Sequence, residues 1–293
     1  MPAAGAPRGE PFGDPCREPN GAHALVGAAD PAEVELFARA CELSSAAAAD
    51  PVPSLLVAAR AFRGLAELYA ARAERGLAGG NADGDSSGKG DGARALSQRD
   101  LLTRQADNAR ACAAAAHRAL GVLLPAVAAA LDAGRPTAEV LASATVPAAE
   151  PLYLEAACGA AWARAQGFTH LVDRRAELQA ALERAAALDP SLDDAGPDRE
   201  LGRLLSSLPA YAGGSLREAR ARFDAAVARA PGSVQNRVLY ARGVAVKLQD
   251  RALFESLLNT ALAQPAAEAK EKQEAEVARS LLARVDDLFG AAP

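Results

Sequence analysis

Residues 198–231, DRELGRLLSSLPAYAGGSLREARARFDAAVARAP, hold one nearly complete helix–turn–helix unit, and the rest of the chain reads as variations on it. Ser215 followed by Glu218 is a capping-box signature, in which a hydroxyl and a carboxylate take up amides left unpaired at a helix start. Leu216, Ala219, Phe223, Ala226, Val227 and Ala230 then recur at helical spacing on one face, with Arg217, Glu218, Arg220, Arg222, Asp224 and Arg229 on the other. Pro231-Gly232 stops this amphipathic helix.

Later stops keep phase with it. Pro231 and Pro265 are 34 residues apart, while Pro190 and Pro231 are 41 apart, and the surplus falls in the loop Pro209 to Gly214. The Ala219, Phe223, Ala226, Pro231 spacing matches the second helix of a tetratricopeptide repeat, where small residues let two helices approach and one aromatic fills the gap. Composition agrees. Half the chain is hydrophobic, yet it holds only 7 Phe, 4 Tyr, 1 Trp and 1 Met, so its core must come from close approach of alanine-rich helices. Strand signals are missing. The expected fold is therefore all-α, a stack of helical hairpins of the modified tetratricopeptide kind, with an irregular bundle as the alternative.

Along the chain, residues 1–29 read as a disordered, Pro- and Gly-rich segment without the apolar stretch of a secretory signal. A single helical-repeat domain follows over 30–289, with 290–293 as a tail. Asp30-Pro31 opens its first helix and Ser54 a second. Residues 76–97 form a flexible Gly/Asp/Ser insertion, Ser97 with Asp100 restarts a helix, and Thr137 caps a short turn. Helices over 150–166 and 172–188 precede the unit above. Helices on Val234–Leu248, Phe254–Leu262 and Val277–Phe289 follow it.

Chemistry is sparse. His23, His117 and His170 are scattered without ligand spacing, no nucleophile elbow surrounds Ser206 or Ser207, and no phosphate loop is present, so an enzyme and a cofactor are not expected. Asp83, Asp85, Ser87, Gly88 and Asp91 match the first positions of a calcium loop, but Arg94 stands where the bidentate Glu belongs; a solvated acidic linker is the plainer reading. Cys16, Cys41, Cys112 and Cys158 are too dispersed for zinc or a redox pair and read as small buried hydrophobes, with a disulfide as the alternative for an exported protein. Tyr153 and Trp162 share one general side of a helix and Tyr211 sits in the extended loop. These aromatics are either core or the lining of an apolar groove that binds a ligand or partner. A net charge of −5 argues against nucleic acid. The longest apolar run, Leu120 to Leu131, falls short of the ~20 residues a membrane span needs.

The C-terminal half also carries family motifs. Val146-Pro147 leading to Pro151-Leu152-Tyr153 and Ala161-Trp162, then ALERAAALDPSLDDAG (181–196), YAGGSLREARARFDAAVARA (211–230), QDRALFESLLNTALA (249–263) and SLLARVDDLF (280–289), resemble the TRAP transporter T-component (TatT) family. The resemblance covers about 146–289, and 33–145 less specifically. It implies a periplasmic, usually lipid-anchored homotrimer whose modified repeats surround an apolar pore. That protein would engage the solute-binding P subunit of a tripartite ATP-independent periplasmic transporter and handle a hydrophobic small molecule. Members of the family begin with an export signal ending in a lipidated Cys, whereas Cys16 follows Gly13-Asp14-Pro15. Periplasmic localisation is thus the expectation from resemblance and cytoplasmic the alternative. The rival function is a cytosolic repeat scaffold that binds a partner peptide or helix.

Overall fold

A computed structural model describes residues 14–17, 30–78, 96–266 and 269–290. Among them every regular element is helical: α1 (Pro31–Ser44), α2 (Val52–Ala78), α3 (Gln98–Leu123), α4 (Pro125–Asp132), α5 (Thr137–Leu141), α6 (Ala149–Gln166), α7 (Phe168–Leu188), α8 (Leu192–Ser207), α9 (Leu216–Arg229), α10 (Val234–Tyr240), α11 (Val246–Leu248), α12 (Arg251–Leu262), α13 (Ala269–Leu282) and α14 (Val285–Phe289). A π-helical turn, Ala241–Ala245, joins α10 to α11.

Local signals explain most boundaries. The Ser97 hydroxyl accepts from the Asp100 amide while the Asp100 carboxylate accepts from Ser97, a reciprocal cap on α3. Ser215 accepts from the Glu218 amide at the start of α9, and Asp30 accepts from Ala32 ahead of Pro31. Three boundaries depart from expectation. Helix α2 begins at Val52, where the Asp50 carboxylate takes the Val52 amide, and Ser54 is a buried residue inside it. Thr137 is the first residue of α5, with Pro136 in the cap position. The terminal helix breaks at Ala283–Arg284. Helix α2 continues to Ala78 and α3 starts at Gln98, so the insertion and its calcium-type residues Asp83, Asp85, Ser87 and Asp91 lie outside the described residues.

The helices stack as hairpins: α2 on α3, α6 on α7, α8 on α9, and α12 on α13, with α3 also packed along α6. Small residues make this approach possible. Ala58, Ala61, Ala115, Ala119, Ala157 and Ala160 are buried between α2, α3 and α6. A second core holds Phe223, Val238, Tyr240, Phe254 and Leu258, and the two cores meet at the end of α8, where Leu204 belongs to the first and Leu205 to the second. Phe223 fills the inter-hairpin gap as its spacing implied. It is fully buried, stacked on Tyr240 at 5.3 Å between ring centroids, and seated over Gly202, where a Cβ would come within 2.8 Å of the ring.

The cysteines are buried as expected but they are not free thiols. Cys16 pairs with Cys41 and Cys112 with Cys158, each across a helix contact whose Cα atoms lie 5.1 and 6.0 Å apart, within bridging range. The same alanine-lined approach of α3 and α6 that buries Cys112 and Cys158 brings their sulfurs together. Sequence separation hid that.

Candidate functional site

Helices α2, α6, α8, α10 and α13 enclose a partly open cavity of about 360 Å³. Its apolar lining is formed by Leu68, Ala71, Leu154, Val238, Leu239 and Val277. Charged side chains are interspersed with it, and the base of the cavity is a buried hydrogen-bond network. Asp193 Oδ2 accepts from Arg63 Nη1 at 2.8 Å, Arg199 Nη2 at 2.6 Å and the Tyr153 hydroxyl at 2.5 Å. Arg199 Nη2 also donates to Tyr153 Oη at 2.8 Å, and the Arg63 guanidinium lies 4.9 Å from the Tyr153 ring centroid, a cation–π contact. Burial pushes the Tyr153 phenol well above its ordinary pKa, so it remains a donor. Burial works against charge on Arg199, but the Asp193 carboxylate at 2.6 Å, with the Tyr153 hydroxyl oxygen accepting a hydrogen bond beside it, holds the guanidinium protonated.

The backbone around Asp193 is strained. Asp193, Asp194 and Ala195 take φ of 49°, 56° and 62°, a left-handed run of non-glycine residues that costs roughly 1–2 kcal/mol each. Two buried side chains hold it. Arg199 Nη1 donates to the Asp193 carbonyl at 3.0 Å, and Asn236 Nδ2 donates to the Asp194 carbonyl at 2.8 Å. Asn236 itself is fully buried, giving its other proton to Ala226 O and accepting from Arg199 Nη1 at 3.0 Å. Gly196 follows because a Cβ there would overlap the Tyr153 hydroxyl.

Ion pairs frame the remaining polar lining. Arg60 Nε and Nη2 each reach Glu150 Oε1 at 2.5 Å. Arg242, in the π-helical turn, reaches Glu74 at 2.9 Å across 168 residues of sequence. Arg203 and buried Arg164 each stand 3.8 Å from the buried Glu200 carboxylate, and burial together with Arg203 holds Arg164 down to about 9.

The three aromatics singled out from sequence do not converge. Tyr153 lies at the cavity base, Trp162 is half-buried two turns further along α6 with its ring edge-on to His170 at 5.8 Å, and Tyr211 is 87% exposed in the α8–α9 loop. Sequence reading missed Arg63, Asp193, Arg199, Asn236 and the Arg242–Glu74 pair. The one available signal was Asp193-Asp194-Ala195-Gly196-Pro197, a turn-forming run directly before a helix.

A second cavity of about 370 Å³ surrounds His117, whose Nδ1 is 3.0 Å from Glu155 and Nε2 3.2 Å from Asp132. The hydrogen bond to Glu155, opposed by burial, raises this imidazole to about 9. Among the described residues no group of His, Cys, Asp or Glu is placed to hold a metal ion, and no helix is long and apolar enough to cross a membrane.

The family model for the TRAP transporter T-component matches residues 90–289. The chain belongs to the TRAP transporter T-component family. A search of the curated proteins finds no match. The matched segment of this T-component includes α3 and everything after it. It therefore supplies the Asp193–Arg199–Asn236 lock, Tyr153 and the apolar residues of α10 and α13, while α2 contributes its cavity face from outside the match. A TRAP T-component serves a transport system, and the partners of this chain belong to that system.

Proposed function

We propose that this T-component is a non-enzymatic binding and adaptor protein that holds a ligand in the cavity between α2, α6, α8, α10 and α13 and associates with the solute-binding P subunit of its transporter. The observation that carries the reading is the cavity itself: an apolar lining with a few fixed polar groups, built largely from the family-matched segment. Half-buried Trp162 and exposed Tyr211, outside the cavity, are assigned to the contact with the P subunit, since amphipathic rings are favoured at protein interfaces. The modified tetratricopeptide character and the homotrimer are carried from the family resemblance.

Pairing of all four cysteines supports residence in an oxidising compartment, hence the periplasm, and weighs against the cytosolic scaffold. A sulfur bonded to Cys41 is also unavailable for acylation, so Cys16 is not the lipid acceptor. The test is co-purification of the natively expressed chain with the P subunit, together with mass spectrometry of small molecules released on denaturation. Recovery of both is expected; recovery of neither refutes the reading.

A further inference from the structure

The charged lining of the cavity is matched internally, and that restricts what can enter. Arg60 stands on Glu150, Arg63 on Glu67 and Asp193, Arg199 on Asp193, Arg203 on Glu200 and Arg242 on Glu74, so every guanidinium of the lining already faces a carboxylate. Removing one partner of a buried pair leaves an uncompensated charge in a low-dielectric site, which is strongly unfavourable. The Arg63–Asp193 and Arg60–Glu150 pairs are of that kind, with side chains only 11–22% exposed. The Arg242–Glu74 pair is different. Its side chains are 38% and 50% exposed, so the pair is hydrated and worth little. It is the pair in this lining that a ligand can open at small expense. Opening it presents a cation and an anion together, and a ligand with one charge would satisfy one and strand the other.

We infer that the cavity selects a small zwitterion with an apolar body, of the chemistry of a hydrophobic amino acid or short peptide. Its carboxylate inserts towards Arg242 and its ammonium towards Glu74, while its apolar side chains lie on Leu68, Val238, Leu239 and Val277. One ion pair is replaced by two, with no change in net charge inside the cavity. This inference rests on the reading of the cavity as the ligand site.

The experiment is calorimetric titration at pH 7 of the full chain with three probes that share one apolar body: leucyl-leucine as the zwitterion, its N-acetyl derivative as the anion and its C-terminal amide as the cation. Leucyl-leucine is expected to bind, and each singly charged derivative at least tenfold more weakly. Glu74→Gln should weaken leucyl-leucine about tenfold and improve the N-acetyl derivative, because Arg242 then lacks its partner. Arg242→Met should do the reverse with the amide. Both residues are partly exposed and neither supports the core, so these variants fold. Val238→Trp, or Ala71→Phe should that variant not fold, fills the cavity and should abolish binding. Equal or tighter binding of the N-acetyl derivative or the amide by the unaltered protein overturns the inference, as does no binding of leucyl-leucine. If such a charged probe is then lost on filling the cavity, the ligand site stands and only its selectivity is wrong. Binding that survives filling removes the cavity reading as well.

Discussion

Replacing Arg199 with Met removes a guanidinium from a fully buried position while keeping the apolar stem of the side chain. Four hydrogen bonds disappear: those to Asp193 Oδ2, the Asp193 carbonyl, Tyr153 Oη and Asn236 Oδ1. The Asp193 carboxylate keeps Arg63 and Tyr153, so it is weakened rather than abandoned. The Asp193 carbonyl and Asn236 Oδ1 lose the donor that satisfied them. The left-handed turn retains its roughly 3–6 kcal/mol of unfavourable backbone conformation with half of its support gone. Truncating one partner of a buried charged network costs about 3–5 kcal/mol, and that is the expected loss for Arg199→Met. Asn236→Ala, which removes the second support, should cost about 1–3 kcal/mol. The double variant should lose less than the sum, because both side chains hold one turn that can relax only once. Urea denaturation followed by far-ultraviolet circular dichroism measures all three. A loss below about 1 kcal/mol for Arg199→Met, or strict additivity with Asn236→Ala, would refute the claim that this network holds the turn.

Three further outcomes follow from the packing. Phe223→Ala empties a fully buried site between Gly202 and Tyr240 and should lower stability by about 3–5 kcal/mol in chemical melting. Removing the Cys112–Cys158 bridge as the double Ala variant opens a loop of 46 residues' separation and should cost about 4 kcal/mol on chain-entropy grounds, with reduction of the unaltered protein, which opens Cys16–Cys41 too, giving a larger loss. His117, raised from 6.5 to about 9, contributes stability that is fully present below about pH 6.5 and is lost as pH rises through about 9. Solvent screening at the partly exposed ring limits that loss to about 1–2 kcal/mol, and a His117→Gln variant should show a flat stability profile over the same window.

What was legible in the sequence was what repeats locally. The Ser97–Asp100 and Ser215–Glu218 caps, the stop at Pro231 and the apolar face of α9 are each specified within a few residues, so periodicity found them, and Phe223 sat where its spacing placed it. The cavity was not legible because its decisive contacts are long-range. Arg242 meets Glu74 across 168 residues, and Arg199 meets Asn236 across 37. Neither pair leaves a mark in a helical wheel, where both arginines look like ordinary polar-face residues. Tyr153 was singled out for the right element but for its ring, whereas its hydroxyl fixes it in the network. The disulfides escaped for the same reason: burial of Cys112 and Cys158 is a local property, but pairing depends on how closely α3 approaches α6.

The position of the strained turn ties stability to the site. Helix α8 bridges the two cores, and its left-handed start is held by Arg199 from its own chain segment and by Asn236 from α10. Asn236 thereby registers the C-terminal hairpins against the first core, and Arg63 does the same from α2 through Asp193. The elements so registered are the ones that form the cavity. A buried polar network in that place is costly compared with an apolar core. What it supplies is geometry: a fixed spacing of α10 and α13 from α2 across the cavity. Loss of the network should therefore disturb ligand affinity even in solution conditions where the hairpins stay folded, whereas loss of Phe223 should weaken the second core without changing the arrangement of charges around Asp193.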